Sequence, residues 1–346
     1  MKIPSRTIHL VIGLEAFILV AVLIFSILNP IKNAMVDKVD FINKNEQEVV
    51  PTTEEVIDTQ ESVLEYPAIQ YTEAVENKVA SMSVEQKVAQ MFVTTPEQLT
   101  NMRQVTVTGN TSKTAISEIP VGGLIYTAHN FEGSIQTASM TENLQEYYIG
   151  QFGFPVFLMV SEVGGQEGSP LATSNGFSVE KTPEEIGALN DVDTASGIAT
   201  NIANYMNNQG LNTNIGISGT YSADEAINIA MLDTTISAYK SAGIFTATTG
   251  YHGDSDIIIL GNAEPFSETV HSIRYDMQYQ GILFANTCVD AQGIIDVILA
   301  GADMVYCEND FKATYQTIVD SVNNGTIGMD IIDEAVKRIL TYKNYE

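Results

Sequence analysis

The residues of this chain best placed to do chemistry are few, and most are uncharged. The apolar run Gly281-Ile-Leu-Phe-Ala285 delivers Asn286 and Thr287 at its end, and Pro155 to Val160 ends on Ser161 and Glu162. Asn212 to Ile217 leads to Thr220, and Gly243 to Thr248 opens onto a segment containing His252 and Asp254. Polar groups at the ends of buried strands sit on a rigid frame beside solvent, where they can meet a ligand. The Glu162 carboxylate can accept a ligand hydroxyl, or it is a solvated loop acid. Histidine is a side-chain type suited to proton transfer; without a nucleophile beside it, His252 reads as a structural or ligand-contacting group. Asn286 is a neutral amide that hydrogen-bonds but neither attacks nor abstracts a proton. His252, Asp254 and Asp256 form only a short acidic loop, Cys288 and Cys307 have no histidines nearby, and Gly164-Gly165 lacks the pattern of a dinucleotide or phosphate loop. No metal and no cofactor is expected.

The elements that position these groups are short apolar runs alternating with helical stretches, the pattern of βα units in a parallel sheet. Eight runs qualify: Val88 to Val93, Gly123 to Thr127, Pro155 to Val160, Asn212 to Ile217, Gly243 to Thr248, Asp256 to Gly261, Gly281 to Ala285 and Asp303 to Cys307. Eight such strands close into an α/β fold, a (β/α)8 barrel of TIM type, whose ligand site lies at the strand C-terminal ends. Asp191 to Gln209 is the clearest helix, with Ile198, Ile202 and Met206 on one face and Gly210 beyond its end.

Composition bounds the partners. With 43 acidic and 16 basic residues the formal net charge is −27, a field that repels nucleic acid. Ile8 to Leu28 is a nearly continuous apolar run, long enough at about 1.5 Å per residue to cross a hydrocarbon core of about 30 Å. Lys2 and Arg6 precede it, no small-residue cleavage site follows before Asn29-Pro30, and the acidic bulk lies beyond. This predicts an uncleaved signal anchor with residues 1–7 in the cytoplasm and the rest outside. Residues 29–76, rich in Glu, Asp, Val, Thr and Asn without helical or strand period, read as a flexible acidic stalk, leaving 77–346 as one domain. Two cysteines are too few for a disulfide framework; they form a single bridge or remain two free thiols.

Several stretches taken in order resemble the N-terminal barrel of glycoside hydrolase family 3, the branch that includes bacterial β-N-acetylhexosaminidases. They are Met82-Ser-Val-Glu-Gln-Lys-Val-Ala-Gln-Met91, Val121-Gly-Gly-Leu-Ile-Tyr126, Asn143-Leu-Gln145, Ala300-Gly-Ala-Asp-Met-Val305 and Ile332-Asp-Glu-Ala-Val-Lys-Arg-Ile-Leu340. The resemblance spans most of Ser81 to Lys343 and implies a sugar site at the strand ends. There a retaining glycosidase needs a nucleophile and an acid/base, about 5 to 5.5 Å apart when both are carboxylates. Strand seven of the family ends on the nucleophilic Asp; here Asn286 stands in its place.

Other matching positions differ too. Ser161 replaces the sugar-binding Asp of the loop after strand three and Gln166 its Arg, Thr220 replaces an Asp, and Ala247 and Thr248 replace a Lys and a His, while His252 and Gly253 are kept. The branch takes its acid/base from a His in an Asp-Ser-His segment; here Asp254-Ser255-Asp256 runs into the next strand through a shortened connection. The resemblance therefore implies no catalytic residue, and leaves Ser161, Glu162, Gln166, Thr220, Thr248, His252, Asp254 and Asn286 as ligand-binding candidates. The expectation is a membrane-anchored extracytoplasmic barrel, hydrolytically inactive, retained to bind an envelope glycan of peptidoglycan type or an envelope protein. The alternatives are an active β-N-acetylhexosaminidase or β-glycosidase that hydrolyses O-glycosyl bonds through other carboxylates, and a structural assembly component.

Overall fold

In a computed structural model, eight parallel strands close on themselves in sequence order. They are β1 (Phe92–Thr94), β2 (Gly123–Tyr126), β3 (Phe157–Val160), β4 (Thr213–Ile217), β5 (Phe245–Thr249), β6 (Ile257–Ile259), β7 (Ile282–Cys288) and β8 (Met304–Cys307). Phe92 opposite Val305 closes the ring. The structure describes residues 69–345 apart from 164–168, 172–176, 178–180, 218–219, 251, 253, 262–265, 289 and 308. The strands are apolar runs because both faces are covered; Phe157, Leu158, Met159 and Val160 are all buried. Among the described residues no helix is long and apolar enough to cross a membrane. The expected span at residues 8–28 and the stalk up to residue 68 lie outside the described residues.

Helices α1 (Glu73–Ser81) and α2 (Val84–Met91) precede the barrel, α3 (Pro96–Thr100) and α4 (Asn110–Glu118) follow β1, and α5 (Ser134–Phe152) follows β2. Next come α6 (Pro183–Leu189) and α7 (Val192–Asn208) before β4, α8 (Glu225–Ser241) before β5, and α9 (Phe266–His271) before β7. The last are α10 (Ala291–Leu299), α11 (Phe311–Asn323) and α12 (Met329–Tyr342). The expected helix at Asp191 to Gln209 is found as α7: Asp191 caps the amides of Asp193 and Thr194, Ile202 and Met206 are buried, and Gly210 takes φ +68°.

Two expectations change. Residues 88–91 belong to α2, where the Ser83/Gln86 capping box starts a helix that buries Val88, Ala89 and Met91, so β1 begins only at Phe92. The folded region also begins before residue 76: Thr72 caps α1, Val75 and Val79 are buried one turn apart, and the Tyr71 hydroxyl bonds Glu334 at 2.5 Å. The polar composition of 69–76 hid that i, i+4 pair.

The shortened connection expected between β5 and β6 is found: no helix joins them among the described residues. The connection is a strap that runs back along α8: His252 Nε2 meets Asp233 Oδ1 at 3.0 Å in the middle of that helix. Further on, Lys240 in its last turn bonds the Asp254 carbonyl at 3.0 Å and Asp256 Oδ1 at 3.1 Å. Asp256 then accepts the Thr246 amide at 2.8 Å, fixing the start of β6 against β5.

The base of the barrel is heavily cross-linked. Asp303, just before β8, accepts from Arg274 Nη2 at 2.5 Å, from the Leu283 amide at 2.7 Å and from Arg338 Nη1. Lys343 is buried, donating to Gln90 Oε1 at 2.9 Å amid the rings of Phe157, Phe154 and Tyr148 at 5.0, 5.5 and 5.8 Å. Burial holds its pKa well below the usual lysine range.

Candidate functional site

β7 runs three residues further than its apolar run suggests, so Asn286 lies within the strand and not just beyond it. Its pairing with β8 shifts register between Ala285 and Cys288, and β4 shifts against β5 between Asn214 and Ile217. Such irregularities bend a strand and re-aim its side chains. Asn286 was expected to bond its neighbours, yet its Oδ1 is buried and accepts no hydrogen bond. An unsatisfied buried acceptor costs about 1–3 kcal/mol, so it calls for an explanation.

Glu162 is not a solvated acid. It is 1% exposed, accepts the Leu171 amide at 2.8 Å and the Ser169 hydroxyl, and burial lifts its carboxyl to about 6 against those two bonds. Its own backbone is gripped by Asn214, whose Oδ1 accepts the Glu162 amide at 3.0 Å and whose Nδ2 donates to the Glu162 carbonyl at 3.0 Å. Gly216 makes this possible: a Cβ there would lie 2.6 Å from the Glu162 nitrogen and 2.8 Å from Ser161 Oγ. Beneath lies a cavity of about 20 Å³ bordered by Tyr221, Thr235 and Tyr239, room for about one water. Glu162 thus latches the segment after β3 to β4, with Ser161 half-buried beside it.

The other candidates are dispersed. Thr248 is buried with its hydroxyl on Ser255 Oγ at 2.7 Å. His252 and Asp254 lie on the strap along α8 and so leave the rim to which the sequence assigned them; the His252 Nδ1 is buried and unpartnered. Thr220 is exposed beyond β4, and Gln166 lies outside the described residues. Asn212 has a structural task beside Asn214, accepting the Leu158 amide at 2.7 Å and donating to the Val156 carbonyl at 2.9 Å.

Sequence reasoning missed Asp233, on the outer face of α8, and Ser169, whose partner is seven residues away. It also missed His129 after β2, which is exposed and contacts the Arg103 carbonyl at 3.3 Å. Asp233 had no sequence signal, because a surface aspartate on a helix looks the same with or without a partner. Cys307 is a buried free thiol; the Cys288 side chain lies outside the described residues. No group of three or more potential metal ligands occurs among the described residues.

Of the described carboxylates in the strand-end segments, Glu162 is enclosed and Asp254 is on the strap. Among the described residues those positions hold amides, hydroxyls and, in Glu162, an acid with two donors already on it, groups that can exchange hydrogen bonds with a ligand.

No family model matches the chain, and no curated protein matches it in sequence. Solved structures do match in fold. A glycoside hydrolase family 3 β-N-acetylglucosaminidase from Paenibacillus sp. str. FPU-7 aligns with a TM-score of 0.66 at 17% identity, over 77% of this chain and 63% of that one. A β-N-acetylhexosaminidase from Beutenbergia cavernae aligns at 0.65 and 18%, over 77% and 99%, and M tuberculosis LpqI at 0.65 and 15%, over 80% and 98%. This chain thus spans under two thirds of the Paenibacillus enzyme and nearly all of the other two. The closed eight-stranded barrel described here has the fold of the glycoside hydrolase family 3 N-terminal domain.

Proposed function

We propose that this protein is a membrane-anchored, extracytoplasmic barrel of the family 3 type that no longer hydrolyses glycosides and is kept to bind an envelope glycan, of peptidoglycan type, at its strand C-terminal end. The observation that carries the reading is Asn286: an amide at the nucleophile's place, within a bulged strand, with a buried oxygen that no protein group satisfies. A sugar hydroxyl is a donor of the kind that oxygen lacks. Two supports are independent of it. The segment from which the branch draws its acid/base is a strap pinned to α8, and Glu162 spends its carboxylate on Ser169 and Leu171.

The test pairs hydrolysis with binding. Purified full-length protein should leave an aryl β-N-acetylglucosaminide intact while co-sedimenting with peptidoglycan, and Asn286→Ala should abolish the co-sedimentation. Turnover that disappears when Glu162 or Asp254 is changed to Ala would establish a rewired hydrolase instead. Undiminished co-sedimentation by Asn286→Ala would move the glycan away from this end of the barrel. Restoring the carboxylate with Asn286→Asp is expected to trap no fluoroglycosyl adduct, because Ser161, Thr220, Ala247 and Thr248 still lack the family's sugar-holding groups and positioning is worth about 7–11 kcal/mol of barrier.

A further inference from the structure

Outside the strand-end site, the β1–β2 connection and the first turns of α5 enclose an open groove of about 850 Å³ whose lining includes Val107, Glu132, Ile135, Ser139 and Asn143. Val107 is 64% and Ile135 90% exposed. A loose loop would fold such side chains inward, since each buried aliphatic gains about 1.5–3 kcal/mol. This one is held open. Gln136 donates to the Thr106 carbonyl at 2.5 Å and accepts the Glu132 amide at 2.8 Å, and Thr108 donates to the Met140 carbonyl at 2.7 Å. Asn130 bonds Glu97 at 2.6 Å and the Val105 carbonyl at 3.0 Å, and Glu97 also takes the Val105 amide at 2.8 Å. The polar groups behind the groove are satisfied in the arrangement that displays the two aliphatic side chains.

Along α5 the exposed stripe continues from Ile135 through Ser139, Glu142 and Glu146 to Ile149, itself 45% exposed. Among nearby bases, Lys113 lies over the Tyr147 ring at 5.3 Å, leaving Arg103 as the exposed base of the adjoining loop. The surface is therefore aliphatic at its ends and acidic in its middle. We propose that it is a docking site for a basic amphipathic helix of a partner protein, whose aliphatic side chains seat against Val107 and Ile135 while its lysines or arginines face Glu142 and Glu146. A second copy of this chain is a poor occupant, because each carries a formal charge of −27. An anionic lipid surface is disfavoured by the same glutamates, and the lining residues offer no aromatic face for a sugar.

The test uses the full chain in nanodiscs of zwitterionic lipid and a fluorescent helical peptide of leucine and lysine, read by anisotropy against empty discs. A control peptide carries glutamine for each leucine. The wild-type chain should bind the leucine peptide about tenfold or more tightly than the Val107→Glu/Ile135→Glu variant, and than the Glu142→Lys/Glu146→Lys variant. The milder Ile135→Ser should weaken it in the same direction, and unchanged melting temperatures should accompany all three, since every altered side chain is exposed. Equal affinity of wild type and either double variant, or equal binding of the glutamine control, would overturn the proposal. Peptidoglycan co-sedimentation should be unaffected by these variants, which separates this surface from the strand-end site.

Discussion

The two ends of this barrel put their buried polar groups to different uses. At the base, Asp303 gathers Arg274, Arg338 and a backbone amide, and Lys343 has Gln90 and three rings; Arg338 Nε is the exception, buried without an acceptor. At the strand C-terminal end, Asn286 is left with a buried, unpaired oxygen inside a bulge. Asp303 and Arg338 fall within Ala300 to Val305 and Ile332 to Leu340, and Lys343 just beyond, stretches that carry the resemblance to the family. The resemblance is thus strongest where residues hold the barrel together and weakest where chemistry would occur. A sequence can keep the frame of an enzyme because the frame is a folding requirement, independent of what happens at the other end.

The comparison breaks first at Asp303. Asp303→Ala takes the buried carboxylate from two guanidiniums, leaving Arg274 only backbone carbonyls and Arg338 only the part-exposed Glu334, and should cost about 3–5 kcal/mol in urea unfolding; a loss below about 1 kcal/mol would show that the base is no more committed than the strand C-terminal end. Glu162 comes next and is read through pH. Its carboxyl rises on folding from an ordinary value of 4.5 to about 6, so its contribution is fully present below the lower value and is lost as pH rises through the higher one. Relative to Glu162→Gln, wild type should lose about 2 kcal/mol between acid and neutral pH, and parallel stability curves for the two proteins would show that the carboxyl is not enclosed. The smallest effect belongs to Asn286→Ala, expected to change stability by less than about 0.5 kcal/mol because the amide oxygen has no bond to lose. A cost above about 2 kcal/mol would mean that Asn286 supports the fold as Asp303 does.

The eight-stranded architecture was legible because fully buried strands are written as short apolar runs, and β2, β3, β4 and β8 fall within a few residues of those runs. Helix α7 was legible from Asp191 and Gly210, whose roles as cap and terminator are local. Residues 88–91 misled because a short apolar run has the same composition in a strand and in a buried helix. Only the Ser83/Gln86 capping box, just upstream, marks the helix. The candidate site was legible in its positions but not in its bonds. Whether Glu162 faces water or Ser169, and whether His252 lines a rim or lies against Asp233, depends on contacts across the fold that no spacing encodes. The shortened β5–β6 connection could be read, but its course along α8 could not.

That strap has a consequence for how the molecule opens. Elsewhere a helix shields the outer face of the barrel through apolar packing, which salt leaves intact. Between β5 and β6 the fastening to α8 is one ion pair, Lys240 to Asp256, and one histidine–carboxylate contact, His252 to Asp233, whose Lys240 and Asp233 side chains are 45% and 50% exposed, contacts that mobile ions screen. Amide exchange around residues 252–256 should therefore quicken with ionic strength while the β2 and β3 amides stay protected, making this edge the least cooperative seam of an otherwise closed cylinder.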